Sequence, residues 1–269
     1  MNLDRKIDTI RLGVNVFDNE NQSYPAGVNV SYWVTNDSST YRLEMINQSV
    51  VLGNASYYFE PNCSHMVGPS YWPQYWKSGI TDECYIDKNI STNFTYWLIG
   101  WLNGTIDGIR NQTLDKRTLF LNGTNVTINA TVIDECSVGV DSSDVNITLI
   151  HESGEYGCSP VRELGNGKYS CTFNTSQNPE PMPARWYNIS LMSNKTPWYA
   201  YNYSLRYVPE SGSGPGAFFI ETEPMLSDPK VNTSAEDGYS GSTGGYSETF
   251  NFTVRVTDRD MDKVRAYLY

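Results

Sequence analysis

The sequence predicts an all-β protein built as a row of two-sheet sandwiches. Three observations carry that expectation. Apolar and polar residues alternate at period two along almost every regular stretch, as in strands with one buried and one solvated face. No stretch shows the 3.6-residue periodicity of a helix of useful length. Short motifs also recur in one order at nearly constant spacing, which marks an internal repeat.

The elements follow in chain order. Ile10, Leu12, Val14 and Val16 form the first apolar row, and Val28, Val30, Tyr32 and Val34 the second. Phe94, Tyr96 and Leu98 form a third. Val126/Ile128/Ala130/Val132 and Val145/Ile147/Leu149 follow, then Tyr187/Ile189/Leu191. The remaining rows are Tyr199/Tyr201/Tyr203/Leu205/Tyr207 and Phe250/Phe252/Val254/Val256. Gly, Pro, Asn and Ser fill the intervals, the residues that turns require.

The repeat sets the domain plan. Leu52-Gly-Asn-Ala-Ser-Tyr57 matches Leu164-Gly-Asn-Gly-Lys-Tyr169, Val28-Asn-Val-Ser matches Val145-Asn-Ile-Thr, and Val16-Phe-Asp18 matches Val132-Ile-Asp134. Val256-Thr-Asp258 opens the pattern a third time. The plan is module one over 1–107, module two over 108–210, a Gly/Ser/Pro linker over 211–216, and the first strands of a third module over 217–269. About seven short strands per full module is the count of a two-sheet sandwich. The piece Gly167-Lys-Tyr169 resembles the strand-entry motif of immunoglobulin-like and filamin-like modules.

Composition narrows the function. The net charge is −11 and charged residues are 18% of the chain, so no basic stripe exists to neutralise phosphates. That excludes nucleic acid and anionic membranes as natural partners. Twenty of the 25 Asn begin an Asn-x-Ser/Thr tripeptide with no Pro between, where chance gives about four or five. In 1–107 they are Asn21, Asn29, Asn36, Asn47, Asn54, Asn62, Asn89, Asn93 and Asn103. In 108–210 they are Asn111, Asn122, Asn125, Asn129, Asn146, Asn174, Asn188, Asn194 and Asn202, and in the third module Asn232 and Asn251. Several sit between the apolar positions of a strand, which places them on the opposite, solvent face. Such density points to an N-glycosylated surface in an exported protein.

Five Cys fit an oxidising compartment. Pairing within each module joins Cys63 to Cys84 and Cys158 to Cys171, and leaves Cys136 as a free thiol or a bond to a neighbouring chain. Residues 1–10 hold no apolar export signal, and no run approaches the roughly 18 apolar residues of a membrane span. The chain is therefore read as a mature form or a piece of something longer.

Candidate chemistry is sparse. The two histidines, His65 and His151, sit in no nucleophile motif, and His151 reads as a surface residue at a strand end. No Gly-rich phosphate loop is present. The expectation is a protein without catalytic activity or cofactor, with Ca²⁺ the one ion worth weighing. Asp258, Asp260 and Asp262 alternate, as carboxylates converging on Ca²⁺ can, or as turn residues bonding their own backbone. Tyr71-Trp72-Pro73-Gln74-Tyr75-Trp76 is the most unusual segment. Tyr71, Trp72, Tyr75 and Trp76 suit sugar stacking, an inter-subunit contact, or a satellite core under a disulfide loop.

Taken together, the Leu-Gly-Asn-x-x-Tyr repeats, the sequon density, the turn Asn174-Thr175-Ser176 after Cys171 and the Thr257-Asp258-Arg-Asp260-Met-Asp262 run resemble the large repeat-built cell-surface glycoproteins of archaea. Those include surface layers, adhesins and extracellular filaments. The resemblance implies an extracellular structural protein that assembles with copies of itself or other surface proteins. An adhesin using the Trp72/Trp76 loop is the alternative.

Overall fold

The alternation is realised as twenty strands in a computed structural model that describes residues 2–90, 92–110, 119–176, 182–200, 202–207, 216–233, 249–258 and 264. The expected all-β sandwich class is what the chain adopts. The described helices are two single 3₁₀ turns, Val51–Gly53 and Pro69–Tyr71, and none is long and apolar enough to cross a membrane.

Module one contains β1 (Asn2–Asp4), β2 (Ile10–Asn15), β3 (Asn29–Thr35), β4 (Tyr41–Gln48), β5 (Asn54–Phe59), β6 (Gln74–Ile80), β7 (Lys88–Asn89) and the start of β8 (Phe94–Arg110). One sheet runs β4-β3-β6-β8, with β1 lying parallel to β8 at Trp97–Ile99 and β7 beside β6. The other is the pair β2–β5. Leu12 and Phe59 from the pair pack with Val30, Tyr32, Val34, Tyr96 and Leu98 from the sheet. The side chains that alternate in the sequence are the ones that meet in this core.

Module two adds β9 (Leu119–Leu121), β10 (Asn125–Asp134), β11 (Asp144–His151), β12 (Gly154–Gly157), β13 (Arg162–Gly165), β14 (Lys168–Asn174), β15 (Arg185–Asn194), β16 (Tyr199–Ala200), β17 (Asn202–Tyr207) and β18 (Phe218–Glu221). Its sheets are β13-β14-β10-β8 and β12-β11-β15-β18-β9, with β17 also on β15. That is the immunoglobulin arrangement, strands A, B, E and D on one sheet and C, F and G on the other. Val126, Ile128, Ala130 and Val132 of β10 are all fully buried and face Ile147, Leu149, Ile189 and Leu191.

The expected module boundaries need two corrections. The limit at 107/108 falls inside β8, whose first residues pair with β6 and whose Leu102–Arg110 stretch pairs with β10. One 17-residue strand is thus the last strand of module one and the first of module two. Residues 218–221 also belong to module two, because β18 pairs with both β15 and β9. Of the expected linker only Gly216 is described. Among the described residues the third module contributes β19 (Met225–Thr233) and β20 (Phe250–Thr257), an antiparallel pair whose apolar residues Phe250, Phe252, Val254 and Val256 are exposed. They stand to each other as the second half of β8 stands to β10.

The repeat itself is structural, with one slip in register. Val16 N–H donates to the Gly53 carbonyl at 2.8 Å, and Val132 N–H donates to that of Gly167 at 2.7 Å. Gly53 and Gly167 are therefore equivalent, two residues out of step with the match of Leu52 to Leu164. Both have positive φ, and a Cβ on either would lie 2.2 Å from the carbonyl oxygen of that valine. The fold needs glycine where the chain crosses the end of the B strand.

Candidate functional site: an inter-module lock

A set of long-range polar contacts lies where β8 passes from one module to the next. Arg5 follows β1, and its backbone N–H donates to the Ile99 carbonyl at 2.9 Å. Its side chain, only 4% exposed, crosses to module two. Nη2 meets Asp134 Oδ2 and Nε meets Glu135 Oε1, both at 2.5 Å, while Nη1 donates to the His65 carbonyl at 3.0 Å. Each carboxylate is also held from its own side. Asp134 Oδ1 accepts the N–H groups of Cys136 and Val138 at 2.9 Å, and Glu135 Oε2 accepts that of Trp101 at 2.7 Å.

Burial acts to lower the Arg5 pKa, but the hydrogen bonds and charges of Glu135 and Asp134 outweigh it, and the net direction is upward. The guanidinium stays charged. A buried ion pair adds little over an apolar contact, yet losing one partner strands a desolvated charge and costs roughly 3–5 kcal/mol. The cluster therefore fixes geometry more than it adds stability.

Packing closes the same junction. Tyr199 lies against Gly100, where a Cβ would sit 2.7 Å from its ring. Burial pushes the Tyr199 phenol up to about 12, with Asp134 adding to the shift, Arg5 opposing it and Glu135 adding again. Val67 packs on the cores of both modules. Cys63 bonds Cys136, with Cα atoms 5.6 Å apart, and so ties the modules covalently.

That bond corrects the expected Cys63–Cys84 pairing. Cys63 follows β5 at the junction pole, whereas Cys84 follows β6 at the opposite pole and is free and exposed. Strand β6 separates them by roughly 20 Å at 3.3 Å per residue, far beyond disulfide reach. Cys158 does bond Cys171, with Cα atoms 6.2 Å apart.

The aromatic segment divides between two faces. Gln74 is buried, accepting from Thr35 Oγ1 and the Ser38 N–H and donating to the Met66 carbonyl. Trp76 points the same way, stacks on Phe94 at 4.7 Å and packs on the module-one core. Trp72 packs edge to face on Trp97 at 6.3 Å, and Tyr71 and Tyr75 are half-buried. The four rings do not form one surface.

Asp258 follows β20, as Asp134 ends β10 and Asp18 follows β2. In both earlier turns the carboxylate accepts loop N–H groups, Glu20 and Asn21 in the case of Asp18. Asp260 and Asp262 lie outside the described residues, and no cluster of three metal-ligating groups occurs among the described ones. His151, expected at the surface, is buried instead, with its ring 4.8 Å from Tyr187 and Nε2 against the Ala184 carbonyl. His65 is buried against Phe59, 3.6 Å from Glu44.

Among the sequons, Asn36 departs from the expected surface position. It is 7% exposed and its carbonyl accepts from the Met66 N–H. Asn111 is outside the described residues, as are the side chains of Asn202 and Asn232. Arg5, Asp134 and Glu135 were not singled out from the sequence. The only available signal was the match of Asp134 to Asp18, which says nothing of an arginine arriving from the neighbouring module.

No protein-family model matches the chain, and no curated protein matches it in sequence. Solved structures overlap it loosely. A 282-residue C-terminal fragment of intimin, in complex with the translocated intimin receptor's intimin-binding domain, aligns at 11% identity and TM-score 0.29 over 85% of this chain. The exo-chitosanase CsxA of Amycolatopsis orientalis aligns at 10% and 0.25 over 72%, and the α2-macroglobulin of Escherichia coli at 11% and 0.25 over 96%. The chain spans 61% of the intimin fragment, 26% of the chitosanase and 20% of the macroglobulin. At these scores the overlaps carry no argument, and the fold assignment rests on strand order.

Proposed function

We propose that the protein is an extracellular structural glycoprotein of the cell surface, a stiff run of sandwiches that serves as a unit of a layer or filament. The observation that carries this reading is the lock. A shared strand, a buried Arg5–Asp134–Glu135 cluster and the Cys63–Cys136 bond together hold two modules at one angle. A protein whose modules only needed tethering could use a flexible linker. Two disulfides favour an oxidising compartment, and the sequons favour export. No catalytic role and no cofactor is part of the proposal. The test is antibody labelling of intact cells, followed by electron microscopy of the envelope. Surface labelling on a regular lattice or fibre supports the reading, and labelling confined to lysed cells removes it.

An adhesin is the second reading, and the Trp72–Trp97 pair on the outward side of the β8 sheet favours it. Trp76 no longer belongs to such a site. Loss of specific glycan-array binding in Trp72→Ala, with Trp76→Ala compared as a core variant, separates this reading from the first.

A further inference from the structure

Strand geometry gives one sequon a role that the others lack. Trp101, Asn103 and Thr105 occupy alternate positions of β8, all exposed, while Leu102 and Gly104 between them are buried. The three side chains therefore stand in a row on one outward face, with roughly 7 Å between neighbours. That spacing brings the first sugar on an Asn103 amide over the preceding side chain. Trp101 is 38% exposed, and no ring packs on it among the described residues. Its backbone is nonetheless fixed, by the Glu135 carboxylate at 2.7 Å and by pairing with Ala200. An exposed indole on a fixed strand beside a glycan acceptor is a platform for a sugar.

We propose that Asn103 carries an N-glycan whose first pyranose stacks on the Trp101 indole and covers the open side of the module junction. This rests on the glycosylation reading of the preceding section and adds what one glycan does. A pyranose presents C–H groups on one face, and the indole face carries the negative lobe of its quadrupole, so the two attract while water leaves both. Little backbone entropy is lost, because the strand that carries both residues is already ordered. The contrast lies within the chain. Trp186 stands two residues before the sequon Asn188 in the same way, but its ring already packs edge to face on Phe219 at 5.2 Å and Asn188 Oδ1 is buried. That site offers no free platform.

The test uses the full chain secreted from a yeast host, whose first sugar is N-acetylglucosamine. Glycopeptide mapping reads occupancy of Asn103. Thermal midpoints are compared for the parent, Thr105→Ala, Trp101→Thr and the double variant. Thr105→Ala removes the glycan and should lower the midpoint by about 2–4 °C in the parent, but leave it unmoved in the Trp101→Thr background. Trimming the parent to a single sugar should keep the midpoint, and complete enzymatic removal should lower it, which gives a readout without any substitution. Equal shifts with and without Trp101 overturn the proposal while leaving glycosylation standing. Sugar on other sequons but not on Asn103 does the same. A chain with no sugar at any sequon overturns both.

Discussion

Removing the bond between modules with the double substitution Cys63→Ala/Cys136→Ala isolates what the covalent tie contributes. The two cysteines are 73 residues apart, against 13 for Cys158 and Cys171. In the chain-entropy treatment the longer closure restricts the unfolded chain by about 4.5 kcal/mol and the shorter by about 3. For a chain of this size 1 kcal/mol moves the midpoint by roughly 2–4 °C, so the double variant should melt about 9–18 °C lower. It should also lose more than a Cys158→Ala/Cys171→Ala variant. The assay is calorimetry on enzymatically deglycosylated protein, with non-reducing peptide maps and native-state alkylation alongside. The parent map should hold a Cys63–Cys136 peptide, and alkylation without denaturant should mark Cys84 alone. A Cys63–Cys84 peptide, or a double variant within about 1 kcal/mol of the parent, refutes the reasoning.

Three further outcomes are expected. Arg5→Ala leaves Asp134 buried opposite no cation and should cost roughly 3–5 kcal/mol in denaturant unfolding; a change below about 1 kcal/mol would show that the carboxylates find water or another partner. Alkali should unfold the protein: burial raises Tyr32 and Tyr199 to about 12, Arg11 opposing the shift at Tyr32, against about 10 in the unfolded chain. Their contribution is complete below pH 10 and lost as pH climbs towards 12, so phenolate absorbance and loss of near-ultraviolet dichroism should rise together. Phenolates that all titrate near 10 in a still-folded protein would contradict this. Asn36 should be found without sugar while exposed sequons such as Asn21 and Asn146 are occupied, and a glycosylated Asn36 peptide from folded protein would show that its loop opens.

What the sequence revealed follows a physical division. Strand β10 was legible in full, because Val126 to Val132 alternate without interruption and each apolar residue is buried. The repeat was legible because the same turn chemistry, an Asp after the B strand and a Gly before the E strand, is needed in each module. Contacts between modules were not. Nothing local in Arg5 or Cys63 distinguishes a residue that crosses a junction from one on a loop. Gln74 hid the orientation of its segment, since a polar residue inside, satisfied by Thr35, Ser38 and Met66, reverses the apparent pattern of β6. Composition places residues 218–221 past the linker because it marks where a chain is pliable and not which sheet the next strand joins.

The shared strand has a consequence for where this chain can be cut. The segment that recurs in the sequence and the segment that folds are out of phase, since β8 serves one module to Ile99 and the next from Leu102. Dividing the chain at 107 would strip β10 of most of its partner strand and leave Leu102, Gly104 and Ile106 as a bare apolar tail on the first fragment. Both pieces would then carry complementary sticky edges, and mixing them should restore one particle. A division at Gly100 spares the pairing but parts Arg5 from its two carboxylates. Neither cut gives two self-sufficient halves, so the segment that repeats and the segment that folds differ in their endpoints.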